Sequence, residues 1–144
     1  MLKKICLTTA ILAVVAMPAF AAETCGSTPI PPAVPVAGDL AGKLADDAHA
    51  LVLDTLKNIK IYQSSLVPYY DCLDRQAKSA QDEMAAAQAK ADDGKVTALK
   101  QSILDVATVY DKTRASEVQV ANEFNTLHVA YCALGTGLKG CAKP

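Results

Sequence analysis

The sequence predicts an all-α protein, an antiparallel helical hairpin or small bundle with an extended N-terminal arm and disulfides. Three observations carry this. First, Val96, Leu99, Ile103, Val106, Tyr110, Thr113, Glu117, Val120, Phe124, Leu127, Tyr131 and Leu134 follow a strict three-four alternation, the spacing of a coiled-coil seam. Second, a matching stripe runs through Leu44, Ala48, Leu51, Thr55, Ile59, Tyr62, Leu66, Tyr69 and Leu73, then thins to Ala77, Ala80, Met84, Ala87 and Ala91. Third, only Asp92-Asp93-Gly94 separates the two stripes, and so short a turn makes the helices antiparallel. The chain has no Trp and its apolar set is rich in Ala, which favours closely packed helices over a sheet sandwich.

The N-terminus reads as an export signal over residues 1–21. Lys3 and Lys4 precede an uncharged apolar stretch from Ile5 to Met17, and Pro18 then breaks the helical tendency. Ala19-Phe20-Ala21 places small residues three and one before a cut, so Ala22 becomes the first residue of the exported chain. An uncleaved anchor would need roughly 20 apolar residues, and this stretch is at the short edge of that and contains Pro18. Cys6 lies too early for lipid attachment, and Glu23 before Cys25 does not fit it. The expectation is a periplasmic or secreted protein that leaves the membrane after cleavage.

Residues 22–38 hold Pro29, Pro31, Pro32 and Pro35. Proline at that density excludes helix and gives an extended, polyproline-like arm. The helical domain spans 39–134, with Asp39 placed to cap the first helix. Pro68 lies inside the first stripe, and the preserved face favours a kinked helix over a broken one. Gly94 is a natural residue to end that helix. The second helix is expected over 96–134, stopped by Gly135 and Gly137, with 135–144 as a short tail.

The export segment holds two of the 14 basic residues and none of the 15 acidic ones, so the exported chain is mildly acidic. It has no basic footprint for nucleic acid. Cys6 leaves with the segment, while Cys25, Cys72, Cys132 and Cys141 remain. An even set in a small exported protein predicts two disulfides, with three connectivities open. Reach then weighs the choices. With the turn centred between Asp93 and Gly94, Cys132 lies level with residue 55, roughly 25 Å from Cys72. Asp39 to Cys72 spans roughly 50 Å as helix, and Cys25 to Asp39 spans roughly 46 Å when extended. A returning arm can therefore just bring Cys25 to Cys72, and Cys132 with Cys141 would close a local loop. These are the favoured pairs. A two-helix hairpin buries little surface, so the arm, the disulfides or dimerisation into four helices must supply the rest.

Few residues point to chemistry. Asp46 and His49 share a face at three-residue spacing, a weak two-ligand start. His128 would face residue 59, roughly 15 Å from His49, and both histidines read as surface residues. There is no Cys-x-x-Cys pair, haem-attachment motif, nucleophile elbow or phosphate-binding glycine loop. Asp46-Asp47 and Asp92-Asp93 read as solvated charge. Val96, Ala98 and Leu99 cannot complete a calcium loop after Asp92-Asp93-Gly94. No catalytic residue, cofactor or metal site is expected. Glu117 interrupts the second seam opposite Tyr69 and Tyr70, where it either meets a tyrosine hydroxyl or stays half exposed. Core packing is the leading account of the tyrosines, and an interaction surface at Tyr62, Tyr69 and Tyr70 is the functional alternative.

The stretch Ile61-Tyr62-Gln63-Ser64-Ser65-Leu66-Val67-Pro68-Tyr69-Tyr70-Asp71-Cys72-Leu73 resembles a pattern of small exported helical proteins of Gram-negative bacteria. The segment from Tyr110-Asp111-Lys112 through Glu117 to Glu123-Phe124-Asn125 is similar to their second helix, and Cys25 to Pro35 to their cysteine-led proline arm. The resemblance implies a helical exported protein with no catalytic residues to carry over, and it pairs Cys25 with Cys72 by analogy. Cys132 and Cys141 depart from that pattern. The functional expectation is non-catalytic binding or scaffolding in the periplasm. An inhibitor or chaperone-like factor for another exported protein is the first alternative, and a metal or cofactor carrier the second.

Overall fold

The computed structural model describes residues 24–135 and 137–141. The export signal at 1–21 lies outside the described residues. The arm leads into a short 3-10 turn, Ala37–Leu40. Two long helices follow, α1 over Ala45–Ala89 and α2 over Asp93–Cys132, and they pack against each other as a hairpin.

The seam of each helix is buried at heptad spacing. On α1 the buried positions include Ala48, Val52, Thr55, Ile59, Tyr62, Leu66, Tyr69 and Leu73. On α2 they are Val96, Val106, Thr113, Val120, Leu127 and Tyr131. Such a seam presents one stripe per helix to its partner. Two polar residues lie within it at no net penalty in hydrogen bonds. The Thr55 hydroxyl donates to the Leu51 carbonyl at 2.8 Å, and the Thr113 hydroxyl to the Val109 carbonyl at 2.8 Å. Each satisfies its polar atom on its own helix. Four expected seam positions differ. Val52 takes the interior place expected for Leu51, Leu44 is 74% exposed because it precedes α1, Ala91 is exposed in the turn after α1, and Leu134 is 49% exposed beyond the end of α2.

Pro68 does not break α1, which runs unbroken through it. The reason lies in its face. Pro68 is exposed on the side away from α2, so the Ser64 carbonyl it leaves without an amide partner faces solvent. Water can satisfy a carbonyl there, and long helices tolerate proline on that side.

The helix ends correct three expectations. Asp39 does not cap α1. Its carboxylate instead accepts from the Val36 amide at 2.9 Å within the 3-10 turn, and Leu44 is the N-cap of α1. Gly94 does not end α1, since it lies in the first turn of α2. The left-handed residue is Ala91, at φ 53°. The Ala91 amide donates to Gln88 O at 3.0 Å and the Asp92 amide to Ala87 O at 3.1 Å. This pair of bonds is a Schellman closure, normally built on glycine. Asp92 then caps α2 at once, its carboxylate accepting from the Lys95 amide at 3.0 Å. One residue thus ends one helix and begins the next. At the other end, α2 stops at Cys132, before Gly135.

The early turn changes the register. Glu83 pairs with Lys95, Tyr70 meets Tyr110 and His49 meets Tyr131, so facing positions centre near residue 90 instead of between Asp93 and Gly94. Moving the centre by about half a heptad slides each partner by about one heptad. The stripes are therefore preserved while the individual partners change.

Both favoured disulfides are present. Cys25 and Cys72 are bonded with Cα atoms 5.6 Å apart, and so are Cys132 and Cys141, also at 5.6 Å. From Cys25 the arm runs back along the hairpin. The Thr28 and Tyr69 hydroxyls hydrogen-bond at 2.9 Å. Val34 packs on two clusters, one of Ile59, Tyr62, Leu66 and Val120 and one that contains Leu127. Leu40, 1% exposed, then closes the base of the hairpin with Ala48, Val52, Leu127 and Tyr131. Burying a leucine this fully contributes about 2 kcal/mol.

Ala91 sits in a conformation that costs an L-residue roughly 1–2 kcal/mol, and glycine there would forfeit part of that relief as unfolded-chain entropy. The variant Ala91→Gly should therefore raise the thermal midpoint by about 2–6 °C, read by circular dichroism. A lowered midpoint would show that the left-handed cap does not govern the turn.

Candidate functional site

Two clusters of polar chemistry lie along the hairpin. The first is at mid-length, where Glu117 interrupts the α2 seam. Its side chain is 23% exposed and its carboxylate accepts from the Arg114 guanidinium at 3.3 Å. Glu117 is therefore half exposed, paired within its own helix. The Tyr62 and Tyr70 hydroxyls are buried without a hydrogen-bond partner. Burial pushes both phenols above their ordinary value of 10.0, and the Glu117 carboxylate adds to this. For Tyr70 the Arg114 cation works in the opposite direction. The Tyr70 and Tyr110 rings pack with centroids 4.7 Å apart, a separation that suits tilted aromatic pairs.

An interaction surface at Tyr62, Tyr69 and Tyr70 does not survive this geometry. Tyr62 is 4% exposed and Tyr69 8%, and Tyr70 is half-buried. The arm and α2 cover these rings because the Cys25–Cys72 bond holds the arm across them. They are packing groups of the interior.

The second cluster is at the base, around the end of α2. Tyr131 is 1% exposed. Its hydroxyl lies 3.0 Å from His49 Nδ1 and donates to the Lys139 carbonyl at 3.2 Å. One phenol thus ties the start of α1 to the end of the chain. The His49 and His128 rings flank Tyr131, with centroids 5.8 Å and 6.3 Å from it. The expected separation of the two histidines is overturned by the shifted register, which brings His128 one heptad closer to the base. His49 engages Tyr131, while Asp46 stays exposed in the first turn of α1. The Asp46–His49 pair is not a ligand start. A carboxylate there complements the helix N-terminus.

His128 lies beside the second disulfide, with Nε2 3.8 Å from Cys132 Sγ. Its ring stacks on Phe124, with an interplanar angle of 16°. Among the described residues, His128, Cys132 and Cys141 form the one group of three whose donor atoms lie within 4.8 Å of one another. Sequence reading treated His128 as a surface residue. The usable signal was its four-residue spacing to Cys132, one helical turn on the same face.

A third feature is a surface. The α1 face opposite the core carries Leu53, Ile61 and Val67, which are 51%, 60% and 61% exposed. With Leu56, Lys57, Lys60 and Ser64, Leu53 and Ile61 line an open groove along the helix. No family model, curated protein or solved structure matches the chain.

The raised phenols have a pH consequence. The unfolded chain releases these protons near pH 10, while the folded chain holds them to higher pH. Stability is therefore fully present below pH 10 and falls as pH rises above it. An ultraviolet tyrosinate titration should show two groups, Tyr62 and Tyr70, ionising above pH 10. Tyr62→Phe should remove one of them without lowering the thermal midpoint, since the lost hydroxyl makes no bond. A midpoint fall of more than about 1 kcal/mol equivalent would mean that the hydroxyl is satisfied.

Proposed function

We propose that the chain is an exported, disulfide-stapled helical protein that works by binding or scaffolding in the periplasm, without catalysis. The observation that carries the reading is the exposed α1 face. Leu53 and Ile61 lie opposite the core with Lys57 and Lys60 between them, and Val67 is exposed further along α1. Apolar residues at that spacing match a partner that offers its own apolar ridge. The two lysines favour a partner with carboxylates on its rim. The chemistry fits another exported protein with an acidic, partly apolar surface.

Export itself rests on the layout of residues 1–21 and on the resemblance of the Ile61–Leu73 stretch to small exported proteins. Two disulfides are consistent with an oxidising compartment. No helix among the described residues is long and apolar enough to cross a membrane.

Site-specific photo-cross-linking in the periplasm tests the reading. A photoreactive residue at Ile61 should capture one discrete protein species, while the same group at Asp111, exposed on α2, should not. Ile61→Glu should leave helicity unchanged and weaken capture at least tenfold, about 1.4 kcal/mol. Equal capture from both positions, or capture indifferent to Ile61→Glu, would remove the α1 face as the binding surface.

A further inference from the structure

We propose that the end of α2 is a redox-gated site for a thiophilic closed-shell cation such as Zn²⁺, held by His128, Cys132 and Cys141. The site is separate from the outer face of α1, so either can fail without the other.

His128 and Cys132 are one turn apart on α2, so a rigid backbone fixes their donors on one face. His128 Nε2 already lies 3.8 Å from Cys132 Sγ. The Phe124 ring stacked against the imidazole fixes its plane, and Tyr131 borders it. Cys141 supplies the third donor from a different kind of segment. Gly137 and Gly140 precede it at φ 80° and 85°, and the loop moves relative to α2 only by stretching or releasing the bond from the Tyr131 hydroxyl to the Lys139 carbonyl. All three residues are partly buried, which leaves the sulfurs open to a reductant while limiting competition from water.

The set has the right chemistry. Two thiolates and one imidazole are a known three-ligand combination for zinc, with a fourth position left for water. Thiolates select thiophilic cations over calcium or magnesium. The disulfide blocks this chemistry, because bonded sulfurs carry no thiolate charge. The gate is therefore the bond itself. A dithiol reductant transfers two electrons and two protons to Cys132–Cys141. The S–S bond breaks, two thiols form, and the reductant closes to its own disulfide. Zn²⁺ then displaces the two thiol protons and forms two Zn–S bonds and one Zn–N bond. The sulfurs must open to roughly 3.8 Å for a tetrahedral ion, a movement the glycine loop can take up.

The two disulfides also differ in access. In the first bond Cys72 is 8% exposed beneath the arm and Cys25 is partly exposed, whereas in the second both Cys132 and Cys141 are partly exposed. Limiting reductant should open the second bond first.

The test uses the full exported chain under limiting phosphine reductant, with alkylation and peptide mapping to identify the opened bond. Co²⁺ is the spectroscopic probe and Zn²⁺ the competitor. The expected result is one Co²⁺ per chain, with thiolate-to-metal charge-transfer absorption that Zn²⁺ abolishes. His128→Ala should weaken Zn²⁺ binding at least tenfold, and Cys141→Ser at least a hundredfold. If reduction frays the end of α2, Zn²⁺ should restore helicity in the parent chain and not in His128→Ala. Absence of bound metal, affinity unchanged by His128→Ala, or opening of both disulfides together at every reductant level would overturn the proposal.

Discussion

Two helices side by side bury one stripe each, and everything else in this protein answers that constraint. The interior of α1 and α2 is a single seam, lined by Ala80, Ala87 and Val96 towards the turn and mainly by Leu, Val, Ile and Tyr towards the base. A hairpin so thin is marginal by itself. The arm supplies the third layer over the lower half, through Val34 and Leu40. The Cys25–Cys72 bond holds that layer in place. It closes a sequence separation of 47, which by chain entropy contributes roughly 4 kcal/mol. The Cys132–Cys141 bond closes a separation of 9, for roughly 2.5 kcal/mol. The first bond is the principal staple, and the second closes the smaller loop.

The same thinness explains which parts of the fold were legible. A heptad seam is written residue by residue, so the two helices, their faces and their antiparallel sense could be read directly. Reach along an extended arm was enough to favour Cys25 with Cys72. Register was not legible, because it depends on one backbone angle at Ala91. Nothing in an alanine announces a left-handed cap, while Gly94, three residues on, announces one falsely. The resulting error was close to a whole heptad. That is the slip a periodic pattern cannot detect, since every apolar position still meets an apolar position.

The polar chemistry inherited that error. His49 and His128 seemed remote from each other in the sequence register, and both border Tyr131 in the fold. Glu117 is legible in the sequence as the seam's interruption, and its half exposure follows from the cost of burying a long acidic side chain. Its partner, Arg114 on the same helix, was recoverable from three-residue spacing. The tyrosines were read correctly as core, and their alternative role as a surface fails because the arm lies over them. The returning arm was legible through the reach from Cys25 to Cys72, but which tyrosines it would cover was not, because that depends on the register of arm, α1 and α2.

Native-state hydrogen exchange tests most directly whether the arm and its staple support the hairpin as one unit. It would compare the parent chain with a Cys25→Ala, Cys72→Ala variant. If the account is right, losing the bond lowers protection together across residues 48–73 of α1 and 106–131 of α2. Loss of protection confined to the arm, with both helices unchanged, would contradict it.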